Sequence, residues 1–376
     1  MKATKEQRAH GYHKGTRWLA PWKDSAERPV IYHCVTRVVD RRFAFGKEDK
    51  EKFRTFMRMQ ENFTGCQVLA YCIMCNHVHL LLEVPPLPAG GFSDEELLKR
   101  LKASSSEAEV AVVAKRLAEY RKLGAGADIV AKELHESITY RMHDLGEFMK
   151  ALLQRFSRWH NAQHGRTGTL WESRFKSVLV EDGMASRTMA AYIDLNPVRA
   201  GMVADPADYR WSSYGEAMGG GPRGNGKKAR AGLVRALVAH KGYGADARHW
   251  AGRVSKDYRM LLLDEGEEQL KEVRGADGRL EVKVVRKGMK QEVVETELAR
   301  LEHSRDVALR KMLRCRVRYF SDGAVLGSRE FVDGVFRACR ERFGARRTSG
   351  ARKLRGNAVA AEGIIWSVRD LQKGIS

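Results

Sequence analysis

Two histidines separated by one residue are the first residues of this chain that could do chemistry. His77 and His79 run into the apolar residues 80–82, a pattern typical of a buried β-strand. Because side chains on a strand alternate between its faces, both imidazoles should project from one face while Val78 points into a core. Two imidazoles on one face could share a divalent metal ion. On its own, however, such a pair is more often an ordinary part of a strand.

A tyrosine and an asparagine far downstream could supply a nucleophile and a further metal ligand. Tyr192 and Asn196 are four residues apart in a helical stretch, so their side chains project from nearly the same face. If this face packs against the histidine strand, Asn196 offers an oxygen ligand and the Tyr192 phenolate can attack a phosphorus atom. The alternative is structural: most helical tyrosines only pack in a core, and an asparagine before Pro197 often only ends a helix.

The motifs around these residues resemble those of the REP-associated tyrosine transposases, a branch of the single-tyrosine HUH transposases. The resemblance covers about residues 28–218, and its motifs follow one another in chain order. They are Tyr32-His33, 70–81 (AYCIMCNHVHLL), 164–168 (HGRTG), 170–177 (LWESRFKS), 192–201 (YIDLNPVRAG) and 208–214 (DYRWSSY).

This resemblance implies an activity and assigns roles to individual residues. It implies that the protein cleaves and rejoins single-stranded DNA at hairpin-forming repeats with Mg²⁺ or Mn²⁺, leaving a 5′-phosphotyrosine and a free 3′-hydroxyl. Carried over by motif, His77 and His79 are metal ligands, Asn196 is the third ligand and Tyr192 is the nucleophile. Cys75 stands where the family commonly has proline, which concerns the geometry of the turn rather than the ligands.

Cations beside these motifs are candidate DNA contacts. Unpaired bases stack on aromatic rings while Lys and Arg hold phosphates, and the segment around Trp171 and Phe175 combines both kinds of side chain. The two rings could equally be core residues. Arg199 could hold a phosphate or only cap a helix C-terminus. The predicted DNA contacts are Arg41, Arg42, Arg174, Lys176 and Arg199.

The elements that must position these residues follow the order β-α-β-β-α-β-α. This order predicts an α+β fold, a ferredoxin-like antiparallel sheet with helices on one face. Residues 86–142 are predicted to be a helical insertion, longer than the family usually has. The predicted strands are 30–39, 67–74, 77–84 and 175–180, and the predicted helices are 47–62, 145–160 and 184–195, the last ended by Pro197.

A change of composition near residue 219 predicts a second domain. Residues 219–228 are rich in Gly and Lys, as flexible linkers often are. The predicted units are a basic N-terminal arm (1–28), the catalytic domain (29–218), a Gly-rich linker (219–232) and a basic, mostly helical accessory domain (233–376). Arginines and lysines between 340 and 355 make nucleic-acid binding or assembly the predicted role of the last unit, and a solvated basic tail is the alternative.

The charge of the whole chain favours a polyanionic partner. It has 68 Lys and Arg against 47 Asp and Glu, a formal net charge of +21, which favours nucleic acid. No apolar run approaches the length of a membrane span, and the N-terminus lacks a signal-peptide segment. We therefore expect a cytoplasmic, nucleoid-associated protein with no membrane partner, and a homodimer is left open. Six cysteines do not suggest a disulfide framework.

Two other functions remain open at this point. The chain could be a DNA- or RNA-binding protein that keeps the HUH fold for recognition and does not need catalysis. It could also be a metal-dependent hydrolase that uses water, for which Tyr192 would be dispensable. A covalent protein–DNA adduct would separate the transposase from both.

Overall fold

The computed structural model describes residues 18–25, 27–123, 125–219, 226–238, 247–274, 280–300, 320, 323–343, 347–353 and 365–368. Within them, the strands are β1 (Val30–Arg37), β2 (Gln67–Ile73), β3 (His77–Val84), β4 (Lys176–Val180), β5 (Gln269–Arg274), β6 (Leu280–Arg286), β7 (Val325–Gly327), β8 (Arg352–Lys353) and β9 (Trp366–Val368). The helices are α1 (Lys47–Thr64), α2 (Asp94–Leu101), α3 (Glu107–Lys122), α4 (Ala125–Thr139), α5 (Leu145–Gln163), α6 (Met184–Asp194), α7 (Asn196–Arg199), α8 (Ser213–Met218), α9 (Lys227–Leu237), α10 (Arg253–Gly266), α11 (Gln291–Arg300) and α12 (Arg329–Ala338).

Seven of these strands form one sheet in the order β2-β3-β1-β4-β7-β9-β8. The pairs β2–β3, β3–β1 and β1–β4 are antiparallel, and β4–β7 is the parallel pair. Strands β5 and β6 form a separate antiparallel hairpin. The predicted α+β class and antiparallel sheet are confirmed, and the four predicted strands match β1 to β4 to within two residues at either end.

Helices cover both faces of the seven-stranded sheet. Tyr32 and Leu80 pack against α1 and α5 on the first face, which we call the α1/α5 face. Ile31 and Leu81 pack against α6, α9 and α10 on the other. The predicted arrangement with helices on one face therefore describes only α1 and α5. The alternate residues of β1 and β3 are also apolar, and they need cover on the second face.

The second face receives helices from the region that was predicted to be a linker and a separate domain. Helix α9 begins at Lys227, inside the predicted linker, and its Leu233 is fully buried against the sheet. Strands β7, β8 and β9 extend the same sheet beyond β4. The predicted division at 219–232 is thus corrected, because apolar residues beyond residue 226 complete the core that residues 29–218 begin.

The structure also bears on the predictions for the N-terminal arm, the insertion and Pro197. Residues 18–25 of the predicted arm lie on the protein, where Trp18 is buried and stacks on Phe343 at 5.3 Å; residues 1–17 lie outside the described residues. The insertion is helical as predicted, and α2, α3 and α4 share a small core with Phe63 of α1. Pro197 does not stop helical structure: α6 ends at Asp194 and α7 begins at Asn196, since proline is tolerated in a first helical turn.

Among the described residues, no helix is both long and apolar enough to cross a membrane.

Candidate active site

The two motif histidines lie on the second face of the sheet, which we call the histidine face. His79 is buried and His77 is half-buried at the start of β3. Val78, Leu80 and Leu82 point into the core of the α1/α5 face, as strand alternation predicts. The rings of His77 and His79 meet edge to face, with centroids 4.9 Å apart. The expected shared orientation of the two imidazoles is therefore present.

A third histidine, His33 of β1, fixes the ring of His79. His33 Nδ1 lies 2.7 Å from the carbonyl oxygen of Phe320, and His33 Nε2 lies 2.9 Å from Nδ1 of His79. A carbonyl oxygen only accepts, so His33 Nδ1 must carry the hydrogen. Burial lowers the pKa of His33 to about 4, which leaves Nε2 without a proton near neutral pH. His79 Nδ1 therefore donates to His33, and the lone pair of His79 is on Nε2.

His77 is held in the same tautomer by a different partner. Its Nδ1 lies 2.7 Å from Oδ1 of Asn76, and the Asn76 amide nitrogen donates to the carbonyl oxygen of Arg41 at 2.9 Å. The amide oxygen of Asn76 must then accept, so His77 Nδ1 donates and its Nε2 carries the lone pair. Burial, helped by the charge of Arg37, lowers the pKa of His77 to about 4. Both rings are thus neutral and offer Nε2 as a ligand.

Helix α6 brings Tyr192 to these histidines. The Tyr192 ring is 3% exposed, and its centroid lies 5.8 Å from that of His79 and 6.1 Å from that of His33. It stacks on Phe320 with centroids 4.6 Å apart and planes 12° from parallel. Most of α6 is buried because small residues such as Ala190 let it pack closely between the sheet and α9. Side chains from β1, β3 and α6, together with Phe320, are thus in contact although they lie far apart in the chain.

Asn196 and Arg199 lie at the C-terminal end of α6, where their side chains cap backbone carbonyl groups of the helix. The Asn196 amide nitrogen donates to the carbonyl oxygens of Tyr192 at 2.9 Å and Ile193 at 3.2 Å. Arg199 donates to the Tyr192 carbonyl at 3.4 Å, and its guanidinium lies 5.3 Å from the centre of the Tyr192 ring. Arg199 thus makes a contact of the kind that the capping alternative predicts, and its role in binding DNA stays a prediction. No described hydrogen bond uses the amide oxygen of Asn196, so its role as a metal ligand stays a prediction.

This donor set fits a divalent metal ion. Two neutral imidazoles present Nε2, and each ring is oriented by a hydrogen bond from its Nδ1, the usual outer partner of a metal-bound histidine. The side-chain amide oxygen of Asn196, four residues after Tyr192, would be a suitable third ligand for the same ion. Imidazole is a better ligand for Mn²⁺ than for Mg²⁺, which prefers oxygen ligands and water. Of the two predicted ions, the residues therefore favour Mn²⁺.

Two cations flank the histidines on the same face. Arg37 pairs directly with His77 across β1 and β3, and Lys176 pairs with Val35, which itself pairs with His79. Directly opposed residues of neighbouring strands share a face. Lys176 is a predicted DNA contact. His33 belongs to a motif of the resemblance but has no predicted role, and Arg37 is not predicted at all. His33 and Arg37 are an even number of residues apart on β1, so their side chains share a face. Only the pairing of β1 with β3 shows that this is also the face of His77 and His79.

Three other predicted DNA contacts, Arg41, Arg42 and Arg174, lie apart from this face. Arg41 and Arg42 are exposed in the turn after β1, and Arg42 pairs with Asp40 at 3.3 Å. Arg174 lines an open groove of about 900 Å³ between α5 and residues 168–175, together with Trp171 and Arg158. Since α5 covers the opposite face of the sheet, this groove is separate from Tyr192. The structure thus divides the predicted contacts among three surfaces.

A comparison with protein families matches residues 28–122 to the family described as IS200-like transposases. The match includes β1, β2, β3 and the two histidines of the site. Over this segment, the chain is similar to the IS200-like transposases. The expected resemblance to transposases is confirmed at that level.

Two further comparisons complete these findings. A solved structure of a REP-associated tyrosine transposase bound to a REP hairpin aligns with 13% identity and a TM-score of 0.34, covering 64% of this chain and 92% of that one. No curated protein matches this chain.

Proposed function

We propose that this chain is a single-tyrosine transposase that cleaves single-stranded DNA and joins the 5′ phosphate to Tyr192. The observation that carries the proposal is the meeting of Tyr192 with the two motif histidines. Strand β3 and helix α6 lie about a hundred residues apart in the chain, yet the rings of His79 and Tyr192 are 5.8 Å apart. A chance strand pair of histidines does not require a tyrosine at this position.

The proposed reaction exchanges one phosphate ester for another. The Tyr192 oxygen attacks phosphorus, the bond from phosphorus to the 3′ oxygen breaks, and a phosphotyrosine forms. The phenol loses one proton and the departing 3′ oxygen takes one up, so no net proton is consumed. When bound to His77 and His79, a divalent ion would withdraw charge from the phosphate oxygens. Arg37 and Lys176 add positive charge on the same face, where the phosphate charge grows during attack.

The partner in this proposal is single-stranded or hairpin-forming DNA. The chain's formal charge of +21 supports a polyanionic partner. The groove lined by Arg158, Trp171 and Arg174 offers cations beside an aromatic ring, the combination that suits unpaired bases. A homodimer and a cytoplasmic, nucleoid-associated location stay predictions.

A covalent-adduct assay tests the proposal. The protein is incubated with labelled single-stranded hairpin DNA and Mn²⁺ and then run on a denaturing gel. We expect a labelled band at the mass of the protein, absent in Tyr192→Phe. The matched control is Tyr209→Phe, another buried tyrosine whose hydroxyl donates to the Ile73 carbonyl at 2.7 Å; it should still form the adduct.

Each alternative function gives a different outcome in the same assay. If Tyr192→Phe cuts DNA at the wild-type rate, water is the nucleophile and the protein is a hydrolase. If the wild-type protein binds the DNA but neither cuts it nor forms an adduct with Mn²⁺ or Mg²⁺, the chain is a recognition protein that keeps the fold.

A further inference from the structure

A second group of metal-ligating side chains lies on the α1/α5 face of the sheet. His160 and His164 are four residues apart in the last turn of α5 and just beyond it, so their rings lie one above the other, with centroids 4.3 Å apart. Asp49 from the first turn of α1 faces both. None of these residues takes part in the site of Tyr192.

The distances within this group suit a shared ion. Asp49 Oδ1 lies 2.7 Å from His164 Nε2 and 3.8 Å from His160 Nε2. One ligand atom from each of the three residues lies within 4.8 Å of the others. The second carboxylate oxygen of Asp49 accepts from the backbone N–H of Gly46 at 2.8 Å. That bond fixes the carboxylate with Oδ1 turned toward the histidines.

The surroundings of the His160 ring indicate that it binds a ligand. Its side chain is 2% exposed, and neither ring nitrogen makes a well-formed hydrogen bond among the described residues. The Ala44 carbonyl approaches the ring closely enough to raise its pKa, and Asp49 Oδ1 stays 3.8 Å from Nε2. Phe45 and Phe156 pack around the ring, with centroids 5.8 and 5.7 Å away. A buried polar group without a partner is costly, so a neutral histidine in an aromatic pocket is unfavourable unless something binds it.

The protonation of His160 is compatible with metal binding. Burial lowers its pKa, the neighbouring His164 lowers it further, and the carboxylate of Asp49 and the carbonyl of Ala44 oppose this without reversing it. The ring is therefore neutral near pH 7 and has a lone pair to give. His164 now shares a hydrogen with Asp49. In the metal-bound form the ring hydrogen would be on Nδ1 of His164, so that the Nε2 lone pair becomes a ligand.

We propose that Asp49, His160 and His164 bind a divalent cation of the Zn²⁺ type, at a site separate from the histidine pair of the transposase. Two imidazoles and one carboxylate are a common protein ligand set for Zn²⁺, with water in the fourth position. His164 is 40% exposed, which gives that water access from solvent. His160 would then have the partner that it lacks.

The position of this site indicates a structural role. The ion would join the beginning of α1 to the end of α5. His164 is also the residue at which α5 gives way to residues 165–175, and these include Trp171 and Arg174 of the groove. A metal at His164 would therefore fix the base of the segment that carries Trp171, a candidate for base stacking, and Arg174, a predicted DNA contact.

Metal titration of the full-length protein tests the site. The background is His77→Ala/His79→Ala, which removes the other histidine pair. Zn²⁺ binding to metal-free protein is measured by isothermal titration calorimetry, and Co²⁺ is used separately because its visible absorption reports tetrahedral nitrogen and oxygen ligands. We expect one Zn²⁺ per chain, with at least about tenfold weaker binding in His164→Gln and in His160→Gln, and a melting temperature that rises with Zn²⁺ only when the site is intact.

The matched control is His135→Gln in the same background. His135 also lies near a carboxylate, 3.7 Å from Asp94, but it has no second histidine one turn away. It should leave Zn²⁺ binding unchanged. His164→Gln is at a partly exposed position, so it should fold even if His160→Gln does not. Absence of a stoichiometric Zn²⁺ in the background protein, or equal affinity in His164→Gln and His135→Gln, would overturn the proposal.

Discussion

Neither motif histidine sets its own tautomer; each ring is oriented by a residue outside the His-Val-His triplet. Asn76 accepts from His77, and His33 accepts from His79. The His33 bond is in turn held by the Phe320 carbonyl, 287 residues away in sequence. Removing such outer partners usually costs 10–100-fold in metal affinity. His33 is therefore a positioning residue whose effect should be measurable without any DNA.

His33→Phe should weaken Mn²⁺ binding by about tenfold or more. Phenylalanine fills a similar volume but cannot accept from His79, so the His79 lone pair is no longer confined to Nε2. Calorimetric titration in a His164→Gln background measures the affinity of the histidine pair alone. His33→Asn, which can still accept a hydrogen bond, should recover part of the affinity.

The control for this change is Tyr32→Phe. Tyr32 neighbours His33 on β1, is equally buried, and loses one hydrogen bond from the backbone N–H of Ala20, but it faces the α1/α5 side. It should cost stability and leave the Mn²⁺ affinity unchanged. Equal Mn²⁺ affinity in His33→Phe and wild type would show that His33 only packs.

Arg37→Gln should weaken binding of single-stranded DNA and slow adduct formation. Arg37 pairs with His77 across the sheet, so its charge lies where the proposed phosphate must sit. The loss of one phosphate contact should reduce the slope of log affinity against log salt by about 0.7 for single-stranded DNA. Fluorescence anisotropy at several salt concentrations measures this slope. Lys115→Gln, an exposed cation in the insertion, should leave it unchanged.

Residue types predict about half of this site. The alternation of side chains along β3 is enough to place His77 and His79 on one face. The roles of His33 and Arg37 are not predictable from the sequence, because they depend on which residues of β3 the two oppose. That register is set by packing between strands some forty residues apart. The Phe320 carbonyl carries no side-chain signal at all.

At the scale of elements, a buried ion network fastens α9 to the histidine face. Arg235 is 3% exposed and donates to Asp182 at 2.8 and 2.9 Å and to the buried carboxylate of Glu83 at 2.5 Å. Glu83 lies on β3, on the same face as His79. A buried ion pair does not always stabilise a fold, but breaking one leaves an unpaired charge.

Arg235→Ala should lower the free energy of unfolding by about 3–5 kcal/mol, because Glu83 would stay buried without a cation. Urea unfolding followed by circular dichroism measures it. Lys227→Ala, an exposed position on the same helix, should change stability by less than about 0.5 kcal/mol. A second variant, Arg235→Ala with Glu83→Gln, should recover part of the loss; if it does not, the cost comes from packing rather than from the charge.

The local sequence pattern predicts most helices and strands, but it does not predict which of them pack on the same core. Glycines and lysines at 219–228 suggested a linker, yet Ala229, Leu233 and Val234 have the spacing of a buried helix face. A short Gly-rich stretch shows where the chain can bend. It does not show whether the helix that follows packs on the same core, because that depends on apolar surface left open elsewhere.

At the scale of the whole molecule, residues from both ends of the chain complete one sheet. Leu179 and Val180 of β4 pair with Val325 and Leu326 of β7. Phe320 lies on Tyr192. The region beyond residue 226 therefore contributes to the site itself, and the basic cluster at 340–355 is only partly a free surface: the Arg342 guanidinium lies 4.0 Å from the centre of the Trp18 ring. Positions 344–346, 354 and 355 of that cluster lie outside the described residues.

A chain that ends at Gly219 should therefore fail to fold cooperatively and should form no DNA adduct. It would lack Leu233 and Tyr258, both fully buried beneath or beside α6, together with Phe320 against Tyr192. Urea unfolding and the adduct gel measure the two outcomes. If the chain instead consisted of two independent domains, residues 1–219 would still form the adduct and would lose only the salt-dependent part of the DNA affinity.

The control deletes the hairpin of β5 and β6 and leaves the core intact. These strands form their own sheet, and Val282, Val284 and Val285 are more than half exposed. The chain enters and leaves the hairpin at adjacent points, since Glu267 bridges to Met289. Replacing residues 269–286 by a short Gly-Ser linker should therefore preserve cooperative unfolding and the Tyr192 adduct. If the chain ending at Gly219 also keeps both, α9 and β7 are accessory after all and the site is complete without them.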